Sequence, residues 1–426
     1  MSGRHLGEAI LDGDFTSIVG DASQWLGWLH HPEELAERFE QLRSSLAPRH
    51  DQTILLGMGG SSSGPGMIAH EIGLSSLEII DTSHPDTVQR SSYAGRNIIA
   101  SSKSGGTVET IAALAWAMAH GAEEADITIV TDPGTALDQL ASSMSLRTFY
   151  GDPLTGGRFS TLSNFGLVPV VTAGARDLQA TVLSRDEWLD AFCEGFAAAS
   201  TTGWGEVAVS GDPLSSFTAL WEEQLLAEST GKDGKGLLPL AGSNKAIRDV
   251  VAHAQRTHAF TVGVCVALQV DPFRQPDVEA AKRQTFAELA SPTADDFANP
   301  DELEAWFSES TQPLVLQVFG PLAAAPEVSA LRARLASAGV SVSAGLGPRY
   351  LHSTGQIHKG GSANLRFLQV VVRPSVAPER IQGRNYAFQD LLYAQARGDA
   401  RVLANAGRNI VRTECANVEQ LGRLFH

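Results

Sequence analysis

Five short apolar runs within the first 150 residues constrain the fold more than any other feature: Ile54–Leu56, Leu77–Ile80, Asn97–Ala100, Ile127–Val130 and Arg147–Tyr150. Helical patterns separate several of them, for example the Ala-rich stretch from Ile111 to His120. Strand–helix alternation of this kind predicts an α/β fold, with a parallel sheet covered by helices on both faces. In the flavodoxin-like order 2-1-3-4-5, strands one and three are neighbours at the point where the winding reverses. Ligands of such sheets bind beyond the carboxyl ends of those two strands.

The sequence places unusual chemistry at both ends. The run Gly57-Met58-Gly59-Gly60-Ser61-Ser62-Ser63-Gly64-Pro65 follows the first candidate strand, and Ser101-Ser102-Lys103-Ser104-Gly105-Gly106-Thr107-Val108-Glu109-Thr110 follows the third. Each precedes a helical pattern. Glycine lets backbone come close to a ligand, amide N–H groups at a helix start face an anion, and short hydroxyls donate to it. Two such loops, one with a lysine, predict a cradle for one phosphate group.

The chain has 426 residues, which is too long for one ordinary core. We read residues 1–50 as a helical N-terminal segment, 51–184 as a first α/β domain and 185–426 as a second. The second alternation has candidate strands at Glu206–Val209, Leu237–Leu240, Val262–Val270, Pro313–Phe319, Val340–Ala344 and Leu368–Val372, and ends in a helical tail. No apolar run approaches the roughly 20 residues of a membrane span, and the N-terminus lacks the apolar core of a signal peptide. These features predict a cytoplasmic protein without a membrane partner. A formal charge of −16 argues against nucleic acid as a partner. It also repels an anionic substrate at long range, so the site must build its own positive field from Lys, Arg and helix ends. Cys193, Cys265 and Cys415 are scattered and odd in number, which argues against a disulfide framework and matches no zinc spacing.

Five segments, the two loops among them, carry a resemblance. Gly57–Pro65 is similar to G-x-G-G-S-x-x-G-P and Ser102–Thr110 to S-K-T-x-x-T-x-E-T, with Ser104 in place of the first Thr. Gly156-Gly157-Arg158-Phe159-Ser160 resembles G-G-R-[YF]-S, and Glu228-Ser229-Thr230-Gly231-Lys232 resembles E-S-x-G-K. Asp271–Lys282 resembles a segment that ends in an active-site lysine. Arg274 and Asp277 depart from it at positions where Asp and Gly are usual. These motifs, in this order, resemble those of the glucose-6-phosphate isomerase family, built from sugar isomerase (SIS) domains. The likeness extends to the isomerase part of transaldolase–phosphoglucose isomerase fusions.

The resemblance implies two SIS domains, each with a flavodoxin-like parallel sheet. It implies reversible isomerisation of glucose 6-phosphate and fructose 6-phosphate through a cis-enediol(ate), with no metal and no cofactor. Gly60, Ser61, Ser102, Lys103, Ser104 and Thr107 would bind the substrate phosphate. Glu228 would be the base that moves a proton between C1 and C2. Arg158, a permanently cationic planar fork, suits the developing oxyanion, and Lys282 would reach the ring oxygen or a hydroxyl. The family's ring-opening histidine sits in a G-[TS]-x-G-Q-H context before the lysine. Here the motif-like run, His352–Gly361, comes after Lys282, so we assign the role to His358, with His352, His258 and His253 as alternates. The resemblance also implies a homodimer. Two other readings stay open: an isomerase of a different phosphorylated or sulfonated hexose, and a phosphosugar-binding SIS protein without catalysis.

Overall fold

The computed structural model describes residues 2–20, 25–178, 181–199 and 202–425. The five apolar runs become β1 (Thr53–Gly57), β2 (Leu77–Ile80), β3 (Asn97–Ser102), β4 (Ile127–Thr131) and β5 (Arg147–Tyr150). They pair in parallel in the order β2-β1-β3-β4-β5, the winding read from the sequence. Gly57 at the end of β1 lies opposite Ser101 near the end of β3, so the two Gly/Ser loops leave the sheet side by side.

Strands β1, β3 and β4 are buried along their whole length, as expected of a sheet with two covered faces. On one face Leu55, Ile99 and Val130 meet Met67, Leu167 and Val170 from the helices Gly60–Glu71 and Asn164–Thr172. The other face packs Ile54, Ile98 and Ile129 against Ala112, Ala113 and Trp116 of the helix Val108–Ala119. The N-terminal segment carries the helices Gly3–Leu11 and His31–Ser45. Leu35, Phe39 and Leu42 of the latter join the first core.

The second half holds β6 (Trp204–Ala208), β7 (Gly236–Leu240), β8 (Leu314–Phe319), β9 (Val342–Gly347), β10 (Arg366–Val372) and β11 (Asn409–Cys415), all in parallel pairs. They pair as β11-β10-β8-β9 and β6-β7. Counted in chain order from β8, the larger sheet runs 2-1-3-4, the winding of the first sheet with one strand fewer. The β6-β7 pair lies beside it, where the Ser341 hydroxyl donates to Glu206 at 2.9 Å.

Two expectations need correction. Val262–Val270 is not a strand: through Leu268 it is the end of the helix Val250–Leu268. Every residue from Thr261 to Val266 is buried, so this part of the helix shows no polar stripe and its apolar run mimics a buried strand. Conversely, part of the C-terminal stretch forms the edge strand β11, whose partly exposed Asn409–Arg412 hid it. Among the described residues, no helix is long and apolar enough to cross a membrane.

Candidate active site

A cleft of about 600 Å³ lies beyond the carboxyl ends of β1, β3 and β4, between the two halves of the chain. Its floor is the first Gly/Ser loop. Gly59 has φ +57°, a left-handed conformation that favours glycine, and a Cβ there would lie 2.9 Å from the His352 carbonyl oxygen. A Cβ on Gly60 would lie 2.1 Å from the Gly157 carbonyl oxygen. The two glycines let this loop touch, at once, the turn that carries Arg158 and the segment that carries His352.

The second loop forms one wall. Ser61, Lys103, Ser104 and Thr107 line the cleft with Gly60. Ser102 does not: it is buried behind the wall, and its hydroxyl pairs with that of Thr107 at 2.8 Å. Lys103 is already engaged. Its ammonium contacts the Asp132 carboxylate and donates to the Asp152 carbonyl at 2.9 Å.

The opposite wall comes from the second half. Glu228 sits in the last turn of the helix Phe217–Thr230, buried, with Oε1 at 3.0 Å from Arg158 Nη2. Arg158 also donates to the Pro272 carbonyl and, at 2.6 Å, to Gln275 Oε1. Gln224, one turn before Glu228, donates from Nε2 to Glu228 Oε2 at 3.1 Å and to the His352 carbonyl at 3.0 Å. Its Oε1 accepts from Ser63 at 2.6 Å. Lys232 closes the helix end: its ammonium donates to the carbonyls of Glu228 at 2.9 Å and Ser229 at 2.6 Å. Burial pushes the Lys232 ammonium down to about 8, and the nearby Arg158 charge adds to the shift. Phe273 to Pro276 and Val278, Glu279 and Lys282 form the rim. There Lys282 donates to Glu279 Oε1 at 2.8 Å and is partly exposed.

The four candidate histidines lie in different surroundings. His358 lies away from the cleft, on the short helix Gly355–Gly360, buried against Tyr350 and Phe367, with Gln317 Nε2 at 3.3 Å from its Nδ1. Burial holds its imidazole well below the ordinary range, and the Lys359 charge adds to this. His258 is enclosed by Trp28, Phe159 and Trp221 and is pushed by burial to about 3. His253 pairs with Glu222 at 2.8 Å. The imidazole that lines the cleft is that of His352, on the turn Arg349–His352 after β9. Its Nε2 is 2.8 Å from Glu109 Oε1, and the Gln395 amide donates to the same oxygen at 2.6 Å. Burial tends to raise the Glu109 pKa, but the charge and hydrogen bond of His352 outweigh it and the net shift is downward.

Sequence reasoning passed over Glu109, Asp132, Gln224 and Gln275. Gln224 could have been found, because residues four apart share a helix face. Glu109 stood inside the quoted second loop, in the first turn of its helix, where an acidic side chain reads simply as a favourable dipole partner.

Sequence comparison finds proteins named glucose-6-phosphate isomerase. One from Parabacteroides distasonis is 31% identical over 267 residues, covering 52% of this chain and 59% of that protein. One from Thermus thermophilus is 34% identical over 178 residues, covering 38% and 43%. One from Clostridium perfringens is 27% identical over 275 residues, covering 52% and 59%. The chain thus spans about half the length of the curated relatives it matches. No protein-family model matches it. Among solved structures, a glucose-6-phosphate isomerase from Chlamydia trachomatis covers 93% of this chain and 66% of its own, at 15% identity and a TM-score of 0.28. Tagatose-6-phosphate ketose/aldose isomerase from Escherichia coli covers 92% and 96%, at 14% identity and a TM-score of 0.35. Similarities at that level carry no argument about fold or function.

Proposed function

We propose that this chain interconverts glucose 6-phosphate and fructose 6-phosphate, an aldose–ketose isomerisation through a cis-enediol(ate). One observation carries the reading: a buried carboxylate paired with an arginine, Glu228 and Arg158 at 3.0 Å, faces the same cleft as a hydroxyl-lined loop pair at a sheet switch point. A carboxylate on one wall and hydroxyl-bearing loops on another supply the proton transfer and the anion binding that a sugar phosphate needs.

In this scheme Ser61, Lys103, Ser104 and Thr107 receive the phosphate, and Ser102 orients the Thr107 hydroxyl. His352, held by Glu109, together with Lys282, handles the proton traffic of ring opening. Glu228 takes the C2 proton of the open-chain aldose and returns it to C1. The negative charge that develops on the enediolate oxygens faces the Arg158 guanidinium. In this scheme His352 and Glu228 come from the same chain.

The test is a coupled assay with glucose 6-phosphate and fructose 6-phosphate, run beside mannose 6-phosphate and a 6-sulfonated glucose. Turnover of the first pair in both directions is the expected result. A chain that binds sugar phosphates and interconverts none would be a sensor, and this reading would fall.

A further inference from the structure

The chain carries a net negative charge, and its cradle contains one lysine to offset it. That lysine is not free. Lys103 Nζ contacts Asp132 Oδ2, and the Asp132 backbone N–H donates to the Lys103 carbonyl at 3.4 Å. Asp132 follows β4, the strand next to β3, and lines the cleft together with Ser61, Lys103, Ser104 and Thr107. The loop after β4 packs directly on the second Gly/Ser loop. Gly105 has φ +61°, and a Cβ there would lie 2.4 Å from the Thr135 side chain. Thr131 Oγ1 donates to the Ser102 carbonyl at 2.7 Å and meets Thr135 Oγ1 at 2.8 Å. This tie fixes Asp132 within the cradle wall. Asp132 Oδ1 is buried and has no hydrogen-bond partner. The carboxylate therefore holds the lysine with one oxygen, and its other oxygen is buried toward Gly151 with no donor to offset its charge. Asp152 also acts on Asp132, and its own carboxylate is engaged by His31 at 3.2 Å and Thr155 at 2.7 Å.

We propose that Asp132 is a specificity-determining residue of the cradle: by neutralising Lys103 it sets how many negative charges the bound terminal group can carry. The proposal rests on the phosphosugar reading above and deepens it. Ion-paired with Asp132, Lys103 adds no net charge. The cradle then holds its ligand through hydroxyls and backbone N–H groups, and these suit a singly charged tetrahedral oxyanion nearly as well as a doubly charged one. Each charge on the ligand meets the field of Asp132, so its penalty is about twice as large for a dianion as for a monoanion. Burial works in the same sense. It pushes the Asp132 carboxyl upward, partly offset by Lys103, which marks a site where added negative charge is resisted.

The experiment compares two unreactive ligands by calorimetry at pH 7.5: 1,5-anhydroglucitol 6-phosphate, a dianion, and its 6-deoxy-6-sulfonate counterpart, a monoanion. The parent protein is expected to bind the two within about tenfold of each other. In Asp132→Asn, which keeps the size and shape of the side chain, affinity for the phosphate should rise at least tenfold relative to the sulfonate. The double variant K103M/D132N restores neutrality, and its ratio should return to the parent value. An unchanged ratio in Asp132→Asn, or an equal loss of both ligands, overturns the proposal, since a merely structural carboxylate would affect both alike. A parent protein that binds neither ligand overturns the phosphosugar reading itself, and this inference with it.

Discussion

Replacing Glu228 by Gln separates chemistry from packing, because the surroundings of this side chain fix what each atom can do. Glu228 Oε1 accepts from Arg158 Nη2 at 3.0 Å and Oε2 accepts from Gln224 Nε2 at 3.1 Å, with 7% and 5% of the Glu228 and Arg158 side chains exposed. A Gln amide has one acceptor, so in either rotamer its NH₂ faces a second donor. Gln224 cannot flip to relieve this: Ser63 donates to its Oε1, and its Nε2 also serves the His352 carbonyl. One buried charge-assisted hydrogen bond is therefore lost, at a cost of about 1.5–3 kcal/mol, while Arg158 keeps Pro272 and Gln275 as partners. Removing a general base costs about 100- to 10,000-fold in rate. The expected variant is folded, melts a few degrees lower and binds glucose 6-phosphate within about threefold of the parent. Its turnover falls by at least about 100-fold. The rate is read by coupling glucose 6-phosphate formation to a dehydrogenase. Proton transfer is read separately, as deuterium uptake into the sugar from D₂O. A folded variant that turns over within about threefold of the parent and still exchanges deuterium would remove Glu228 as the base.

Other consequences follow from the same geometry. Lys103→Ala with Ser104→Ala should raise KM at least tenfold while kcat at saturation falls far less; an unchanged KM would take the cradle out of the mechanism. Glu109 has a depressed pKa in the folded chain, so its contribution to stability is complete above the unfolded carboxyl value of about 4.3 and is lost as pH falls through the folded one. Urea titrations of Glu109→Gln should accordingly show a smaller loss of stability between neutral and acid pH than the parent, and an identical pH dependence would refute the pairing with His352. Gly60→Ala places a methyl 2.1 Å from the Gly157 carbonyl oxygen, so backbone must move. The expected cost exceeds the usual overpacking penalty of about 1–3 kcal/mol and is read as a lowered urea midpoint.

Much of the fold was legible because its strands are short, buried and bounded by glycine. Ile54–Leu56 and Asn97–Ala100 announce fully buried parallel strands, and the loops after them mark the switch point. The same rule fails where burial is complete on a helix: Thr261 to Val266 have no solvent side, so neither a 3.6-residue nor a two-residue period can appear. Strand β11 fails in the opposite way, because an edge strand carries Asn409, Arg412 and Glu414 and looks like a polar tail. In the site, residues were legible when their loop geometry demanded glycine and hydroxyls together. His352 and His358 lie six residues apart in one motif-like run, and local sequence alone does not choose between them. What distinguishes His352 is the turn Arg349–His352, which ends at the cleft, and its partner Glu109, more than 200 residues away in sequence. Asp132 was hidden for a similar reason: one acidic residue after a strand carries no signal until its partner is known.

The division of labour between the halves explains why so few contacts hold the site together. The first sheet supplies the anion loops; the second half supplies Glu228, His352 and Lys282; Arg158 crosses between them on a turn seated against Gly60. On the proposed function a sugar phosphate meets both sides at a fixed separation, and that separation is set by packed backbone at Gly59 and Gly60 and by the Ser63–Gln224–His352 hydrogen bonds. These contacts join the first Gly/Ser loop and the helix ending in Glu228, which line opposite sides of the cleft. On the proposed function, a small shift at the seam therefore moves Glu228 relative to C1 and C2 of a bound sugar, while Lys103, Ser104 and Thr107 of the second loop keep their own contacts. Changes at Gly60 or Ser63 should then depress turnover more than binding, the opposite split from changes at Lys103 and Ser104, even though all four residues belong to the same two loops.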